Sequence, residues 1–584
     1  MEIMEAKILL KSLLKRVKQV DEDSFELKGL LTDDELTALK LALGALDNSV
    51  SPSTPIHPTP TKPIKEPVLA APQELAPTQN PEVTDNDKPI VEKNIVEQAP
   101  VSRIIELDTS VLSLTEPASD ERLCLDFGTA MSKVTLVKDK SLERDFEEIH
   151  VLHLGVPGDQ EEVSETMLIS SVFIDPDGKV WFGKKAQDWS KFYAGLQRLD
   201  NIKRYLSEEG FNEPVSSLFN PTDIEITYGD MVMAYLMYLT WAVNHCLEEL
   251  DEPRNLNRRF AMPCLDTSKS RDTEKLLSRM LGEAQILADT FYHTLGNGIH
   301  LSDFIAAKKL VRQERLEYPF IKDGITEPLG VAGSIISWEG NVNSLLMVVD
   351  IGAGTSDFSI YRMAYTPNTG KSTALEVENS SMGITEAGNH LDKLLKQLIL
   401  KKAGITSDNE NFRNFSGDLE LSLRDYKERL FEDGEVHVKL FNDELIEIHL
   451  DEFMSLPQVT KFSDSLVECR DEILNRIDSS FITGAPNGAL AVALTGGGAG
   501  LPMVKALAQG SIRAQGKALK LIQTKPFPHW LEEEYPELEE DYPRIAVSLG
   551  GARKRIIHNG GVASITAGGN QGERKLEGYY TKGL

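Results

Sequence analysis

The sequence predicts a mixed α/β fold. Two related half-domains fill one long ordered region, behind a small helical module and a disordered linker. Two segments more than two hundred residues apart share one design: "LCLDFGTAMSKVTLV" (123–137) and "VVDIGAGTSDFSIYR" (348–362) each read strand, Asp, Gly-rich turn, Thr, strand. A third strand pattern, "ALTGGGAGLPMV" (493–504), runs into a Gly triplet, and Pro502 opens a helix at its first turn. With 584 residues the chain is too long for one ordinary domain, and at 41% hydrophobic and 26% charged it has core material to spare.

Residues 1–48 read as a small helical module. "MEIMEAKILLKSLLKRVKQV" mixes charged and apolar residues at helical spacing and has no signal-peptide cleavage pattern. "LTDDELTALKLALGAL" (31–46) opens with a capping pattern, Thr32 followed by Glu35. A plain helical hairpin and a docking module for a partner remain equal readings. From 49 to 118, Pro, Thr and Glu replace apolar periodicity. Such a stretch buries too little surface to offset chain entropy, so a disordered linker is expected.

Ordered sequence resumes near 119. "MLISSVFIDPDGKVWFG" (167–183) predicts a hairpin with "PDG" at its turn. "MVMAYLMYLTWAVNHCLEEL" (231–250) is interrupted by Thr240, Asn244 and His245 and flanked by acids, which predicts a buried helix rather than a membrane span. Helical and strand segments fill 390–455, and the Gly-rich tail 557–584 reads as loose.

Net charge is -29 and the pI about 4.9, with no basic block, which argues against nucleic-acid or anionic-membrane partners. Cys124, Cys246, Cys264 and Cys469 form no C-x-x-C, so neither zinc nor a disulfide framework is signalled, and a reducing cytoplasm fits.

The three Gly-rich turns carry the chemistry. A Gly-rich hairpin turn presents backbone N–H groups to a phosphate, because no Cβ blocks the approach. An aspartate at the strand end suits water-mediated Mg²⁺, which keeps its waters and wants few carboxylates. One such turn is a weak signal. Two of them, with the third at 496–498, point to two half-domains facing one nucleotide phosphate chain.

In these motifs the chain resembles the actin, sugar-kinase and heat-shock-chaperone ATPase superfamily, and within it most of all the DnaK-type (heat shock protein 70 family) chaperones. Residues 126–133 resemble the first phosphate loop, 350–357 the second and 495–502 the adenosine loop. "GITEAGNHLDKLL" (383–395) resembles the segment after the second loop. "ITEPLGVAGSII" (325–336) and "SLGGARKR" (548–555) resemble the two connecting helices. The resemblance spans about 121–556. It implies a two-lobed actin-like ATPase fold of duplicated ribonuclease-H-like subdomains. Lobe one would run over 119–324 and lobe two over 325–556, with an outer subdomain near 396–485.

The resemblance also implies residue roles. Asp126, Asp350 and Asp357 would arrange hydrated Mg²⁺ and the attacking water. Thr129 and Thr355 would bind phosphate oxygens, beside Gly128, Ala130, Gly352, Ala353 and Gly354. Glu327 matches the Glu-Pro carboxylate, and Lys203 the lysine that reaches the γ-phosphate. Gly388, Lys427, Gly496, Gly497 and Gly498 would meet the nucleoside. The ligands implied are ATP or ADP with Mg²⁺, and the activity a slow, Mg-dependent ATP hydrolysis.

Departures limit the carry-over. Ala130 replaces a threonine. Gly498 and Gly500 stand where the chaperones carry Ser and Arg. Arg424 and Glu428 exchange the usual charges around Lys427, and Arg544 replaces an acid. Residues 284–320 read as an insertion. Only about thirty residues follow "SLGGARKR", too few for a β-sandwich peptide-binding domain. The expectation is a divergent, bacterial-type, chaperone-like cytoplasmic ATPase whose nucleotide state switches affinity for a protein partner, docked through residues 1–48 and the linker. Three rivals stay open: an actin-like filament protein, a small-molecule kinase or phosphatase, and a nucleotide-sensing scaffold that barely hydrolyses ATP.

Overall fold

The structure is a computed structural model describing residues 17–21, 24–27, 105–139, 147–155, 165–193, 195–207, 210–263, 267–336, 341–366 and 371–553. It divides into two compact units, Met1–Glu97 and Gln98–Leu584. In the first, β1 (Val17–Asp21) and β2 (Ser24–Leu27) form an antiparallel hairpin. This corrects the helical reading of that stretch. Val17 pairs with Leu27 and Gln19 with Phe25, a pairing that an apolar count at helical spacing does not register. The helices expected before residue 17 and over 31–46 lie outside the described residues, as do linker residues 49–104 and tail residues 554–584.

The second unit begins earlier than composition indicates. Residues 105–118, expected in the linker, pack on the core. Val111 is buried, Ile105, Leu107 and Leu112 lie against the same cluster, and Asp108 N–H donates to Thr290 Oγ1 at 3.1 Å. The Pro-rich bias ends at Pro100, and apolar residues then return.

Two large mixed sheets carry this unit. The first uses β3 (Glu121–Asp126), β4 (Met131–Lys138), β5 (Glu148–Val151) and β6 (Leu168–Ile169). The hairpin of β7 (Val172–Ile174) and β8 (Lys179–Phe182) turns at 175–178, as the "PDG" signal predicts. Then come β9 (Asn257–Met262), β10 (Ile299–His300) and β11 (Ile321–Thr326). The order is β11-β9-β3-β4-β5, with β6 also on β4. β3, β4 and β5 are antiparallel neighbours, and β9 and β11 add in parallel.

The second sheet uses β12 (Val342–Ile351), β13 (Ser356–Thr366), β14 (Lys371–Glu376) and β15 (Met382–Ile384). After the separate hairpin of β16 (Glu435–Lys439) and β17 (Leu445–His449), it continues with β18 (Ala489–Thr495), β19 (Ser511–Ala514) and β20 (Lys517–Gln523). Its order is β14-β13-β12-β18-β20-β19. β12, β13 and β14 are antiparallel, and β18 and β20 add in parallel. Both sheets thus repeat one plan: three antiparallel strands, then two parallel ones, each of which needs a crossover.

Eight longer helices matter here: α1 (Tyr228–Glu249), α2 (Thr267–Thr290), α3 (Leu301–Glu314), α4 (Glu327–Ile335), α5 (Gly388–Lys402), α6 (Phe412–Asp433), α7 (Pro457–Arg476) and α8 (Tyr542–Ala552). α1 starts at a reciprocal cap between Thr227 and Asp230 and is buried along nearly its whole length, as an all-round apolar helix requires. No helix among the described residues is long and apolar enough to cross a membrane.

Two expectations change. The boundary set between 324 and 325 falls inside β11, where Ile325 and Thr326 pair with Ala261 and Met262. The segment 284–320, read as an insertion, packs into the core: Phe304, Val311 and Tyr318 are buried, and Tyr318 Oη donates to Leu256 O at 2.8 Å.

A core shared by both sheets surrounds α4 and α8, joining Cys124 and Ala261 to Val348 and Ala493. The two helices cross at glycines. A Cβ on Gly550 would lie 1.8 Å from Gly330 O. The C-terminal carbonyls of α8 are held by arginines: Arg122 Nε donates to Ala552 O, and Arg259 Nη1 to Gly551 O and Arg553 O.

Candidate functional site

The β3–β4 turn and the β12–β13 turn open into one cavity of about 490 Å³, within the range of small-ligand sites. Strand pairing puts them there. The apolar strands β3 and β12 are largely buried; β3 ends at Asp126, and β12 carries Asp350 one residue before its end at Ile351. The turns touch: a Cβ on Gly354 would lie 2.8 Å from Thr129 Cγ2. Gly352 N–H donates to Thr355 O at 3.0 Å, closing the second turn. The start of α5 is tied to it, with Gly388 N–H donating to Gly352 O and Asn389 N–H to Ala353 O.

The third turn fits against the second. Gly498 N–H donates to Ile351 O, and Gly496 N–H to Pro543 O. Gly496 has φ +80, and a Cβ there would meet Asp350 Oδ1 at 2.4 Å. Only glycine satisfies both the left-handed backbone and the contact.

Of the residues expected at the site, Asp126, Gly128, Thr129, Ala130, Lys203, Glu327, Asp350, Gly352, Ala353, Thr355, Asp357, Gly388, Lys427, Gly496, Gly497 and Gly498 all line this cavity. Gly354 does not; it faces Thr129. Lys427 is committed within the protein, to Asp392 at 2.8 Å and Gly388 O at 3.3 Å. Arg424 and Glu428 pair with each other at 3.0 Å on the same face of α6.

Lys133 and Asn389 are among the lining residues that sequence reasoning did not name. Lys133 was findable. In the first hairpin Asp126 sits opposite Lys133, as Asp350 sits opposite Asp357 in the second. Lys133 Nζ lies 3.5 Å from Asp126 Oδ2. Counting alternate residues across the turn yields this pair.

The cavity concentrates buried charge. Lys203 forms an ion pair with Glu327. Burial pulls its ammonium down, but Glu327, Asp126 and Asp357 hold it above the ordinary lysine range. Burial, then Glu327, Asp357 and Asp126, push Asp350 well above the carboxylate range against the pull of Lys133. Burial and then Glu327 raise Asp357 to about 7, although the Thr355 hydroxyl donates to it at 2.7 Å and Lys203 opposes. Shifts raised by burial and like charge make the cavity a candidate for cation binding or proton chemistry.

The donor set is oxygen only. Among the described residues, the one group of three His, Cys or acidic side chains with donors within 4.8 Å lies elsewhere, at Glu435, Glu447 and His449 on the exposed face of β16–β17. There His449 pairs with both carboxylates at 3.4 Å. No three of the cavity carboxylates bring oxygens within 4.8 Å of one another, and an ion that keeps its waters, such as Mg²⁺, suits such a set.

A pH-dependent prediction follows for the ligand-free protein. A raised folded-state pKa contributes stability below the ordinary 3.8, and the contribution is lost as pH rises through about 7. Asp357→Asn keeps an acceptor for Thr355 and removes the buried charge. Thermal melts without metal should therefore gain a few degrees at pH 8, on the order of 3 kcal/mol, and nothing at pH 4. An equal gain at both pH values would show that Asp357 ionisation is not the cause.

Comparison with protein-family models and with curated proteins finds no match for this chain.

Proposed function

We propose that residues 105–553 form a two-lobed ATPase of the actin, sugar-kinase and heat-shock-chaperone kind. In this reading the chain binds ATP with Mg²⁺, hydrolyses it slowly and uses nucleotide state to switch affinity for a protein partner. The observation that carries the reading is the meeting of two like hairpin turns, Gly128–Ala130 and Gly352–Thr355, in one cavity with three aspartates and a buried lysine. The repeated sheet plan supports it further.

The turn amides and the hydroxyls of Thr129 and Thr355 would bind phosphate oxygens. Asp126, Asp350 and Asp357 would hold the ion through its waters. When bound, Mg²⁺ supplies charge neutralisation to the phosphate oxygens. Lys203 would neutralise charge at the transferring phosphoryl group, and Glu327 holds the ammonium in place. Asp357 would orient the attacking water; the Thr355 hydroxyl, which donates to Asp357 in the ligand-free protein, would turn to the phosphate oxygens when nucleotide binds. The site works by positioning and electrostatics, without a strong base, which suits a slow enzyme. α4 and α8 cross in the core common to both sheets, so a change of lobe angle at that crossing would reach distant surfaces.

Calorimetry of the full chain with ATP and ADP, with and without MgCl₂, tests binding, and phosphate release tests turnover. We expect Mg-dependent binding and turnover well below that of metabolic kinases. No binding at millimolar nucleotide would end this reading. Sedimentation with and without ATP separates a switch from a filament: pelleting only with ATP would favour the filament. Pull-downs with and without ATP should recover different partners; an identical set would remove the switch.

A further inference from the structure

We propose that Asn201 and Asn389 form a neutral latch across the cavity, which positions Lys203 and retards nucleotide release; the proposal rests on the nucleotide reading above. Asn389 Nδ2 donates to Asn201 Oδ1 at 2.8 Å, across 188 residues of chain. Each partner is fixed to a different wall. Asn389 N–H donates to Ala353 O, beside the Gly388–Gly352 bond, so its backbone moves with the second glycine turn. Asn201 stands two residues before Lys203. Its carbonyl accepts from Arg204 N–H at 3.2 Å, so it forms the turn that presents the lysine.

Residue type and conformation agree with this role. Asn201 has φ +58, a left-handed conformation that asparagine tolerates better than most residues. An amide pair also adds no charge beside a cavity already crowded with carboxylates. The neighbouring Asp200 is committed elsewhere, to Arg198 and Ser171, while Asn201 makes the hydrogen bond from this turn to α5. Separating the Lys203 turn from the second glycine turn breaks the bond. A ligand held between these walls therefore leaves faster without it, and Lys203 loses its placement.

The test measures release of a fluorescent N-methylanthraniloyl-ADP from the full chain. The variants are Asn389→Ala, Asn201→Gly, which keeps the backbone conformation, the double variant, and Asn201→Asp, which still accepts from Asn389. One hydrogen bond predicts release about three- to tenfold faster in each single variant. The double variant should release no faster than the singles, because the bond is lost only once. Asn201→Asp should return release toward wild type. In steady state, kcat falls more than affinity. Unchanged release in the singles, or effects that multiply in the double, would overturn the latch while leaving nucleotide binding intact. Absence of probe binding by the wild-type chain would instead remove the nucleotide reading, and the latch with it.

Discussion

Lys203→Met is expected to lower ATP turnover about a hundred- to a thousandfold while MgADP still binds. Lys203 is only 7% exposed and lies among Glu327, Asp126 and Asp357, which keep it charged despite burial. In the proposed ATPase, a buried cation facing the phosphates stabilises charge that grows during transfer more than charge already present, so its loss falls on the chemical step. The substitution also leaves Glu327 without its partner, at a cost of about 3–5 kcal/mol in stability. Lys203→Met with Glu327→Gln separates the two effects. The double variant should recover the melting temperature and stay inactive in single-turnover assays. Recovered turnover would show that Lys203 acts only as a structural counter-ion.

The second large effect is on folding. Gly550→Val should leave little folded protein, with a loss above about 4 kcal/mol. Its Cβ would sit 1.8 Å from Gly330 O and 2.5 Å from Ser334 N, both main-chain atoms that cannot swing aside. Moving α8 outward would strip the Arg122 and Arg259 bonds from its C-terminus and part Ser548 from Thr135. Gly417→Ala is the control. It lies within α6 with nothing near its absent Cβ, so it should gain up to about 1 kcal/mol of helix propensity. Urea unfolding of both variants decides. A Gly550→Val protein as stable as wild type would mean the crossing is loose.

Sequence legibility followed the range of the interactions. The paired aspartates, the glycine turns and the α1 helix were readable because each is set within a few residues. The Asp126–Lys133 pair was missed because it needs register across a turn, which motif reading passes over. Residues 105–118 were misassigned because composition averaged over the linker hides a short apolar run. The first unit's hairpin was read as helix because its strands are too short for period 2 to outweigh a flanking sequence patterned at helical spacing. The parallel additions of β9, β11, β18 and β20 depend on contacts far apart in the chain, which no local pattern encodes.

The two hairpins share a plan but differ in charge opposite the strand-end aspartate, where the first has Lys133 and the second Asp357. With matched residues there, a polyanionic chain lying between the turns would meet the same charge at either wall and could be read in both senses. The mismatch gives the cleft a polarity. A cation on one wall and a carboxylate on the other would make the two orientations of a linear ligand unequal in energy, so two hairpins of one plan would still tell its head from its tail.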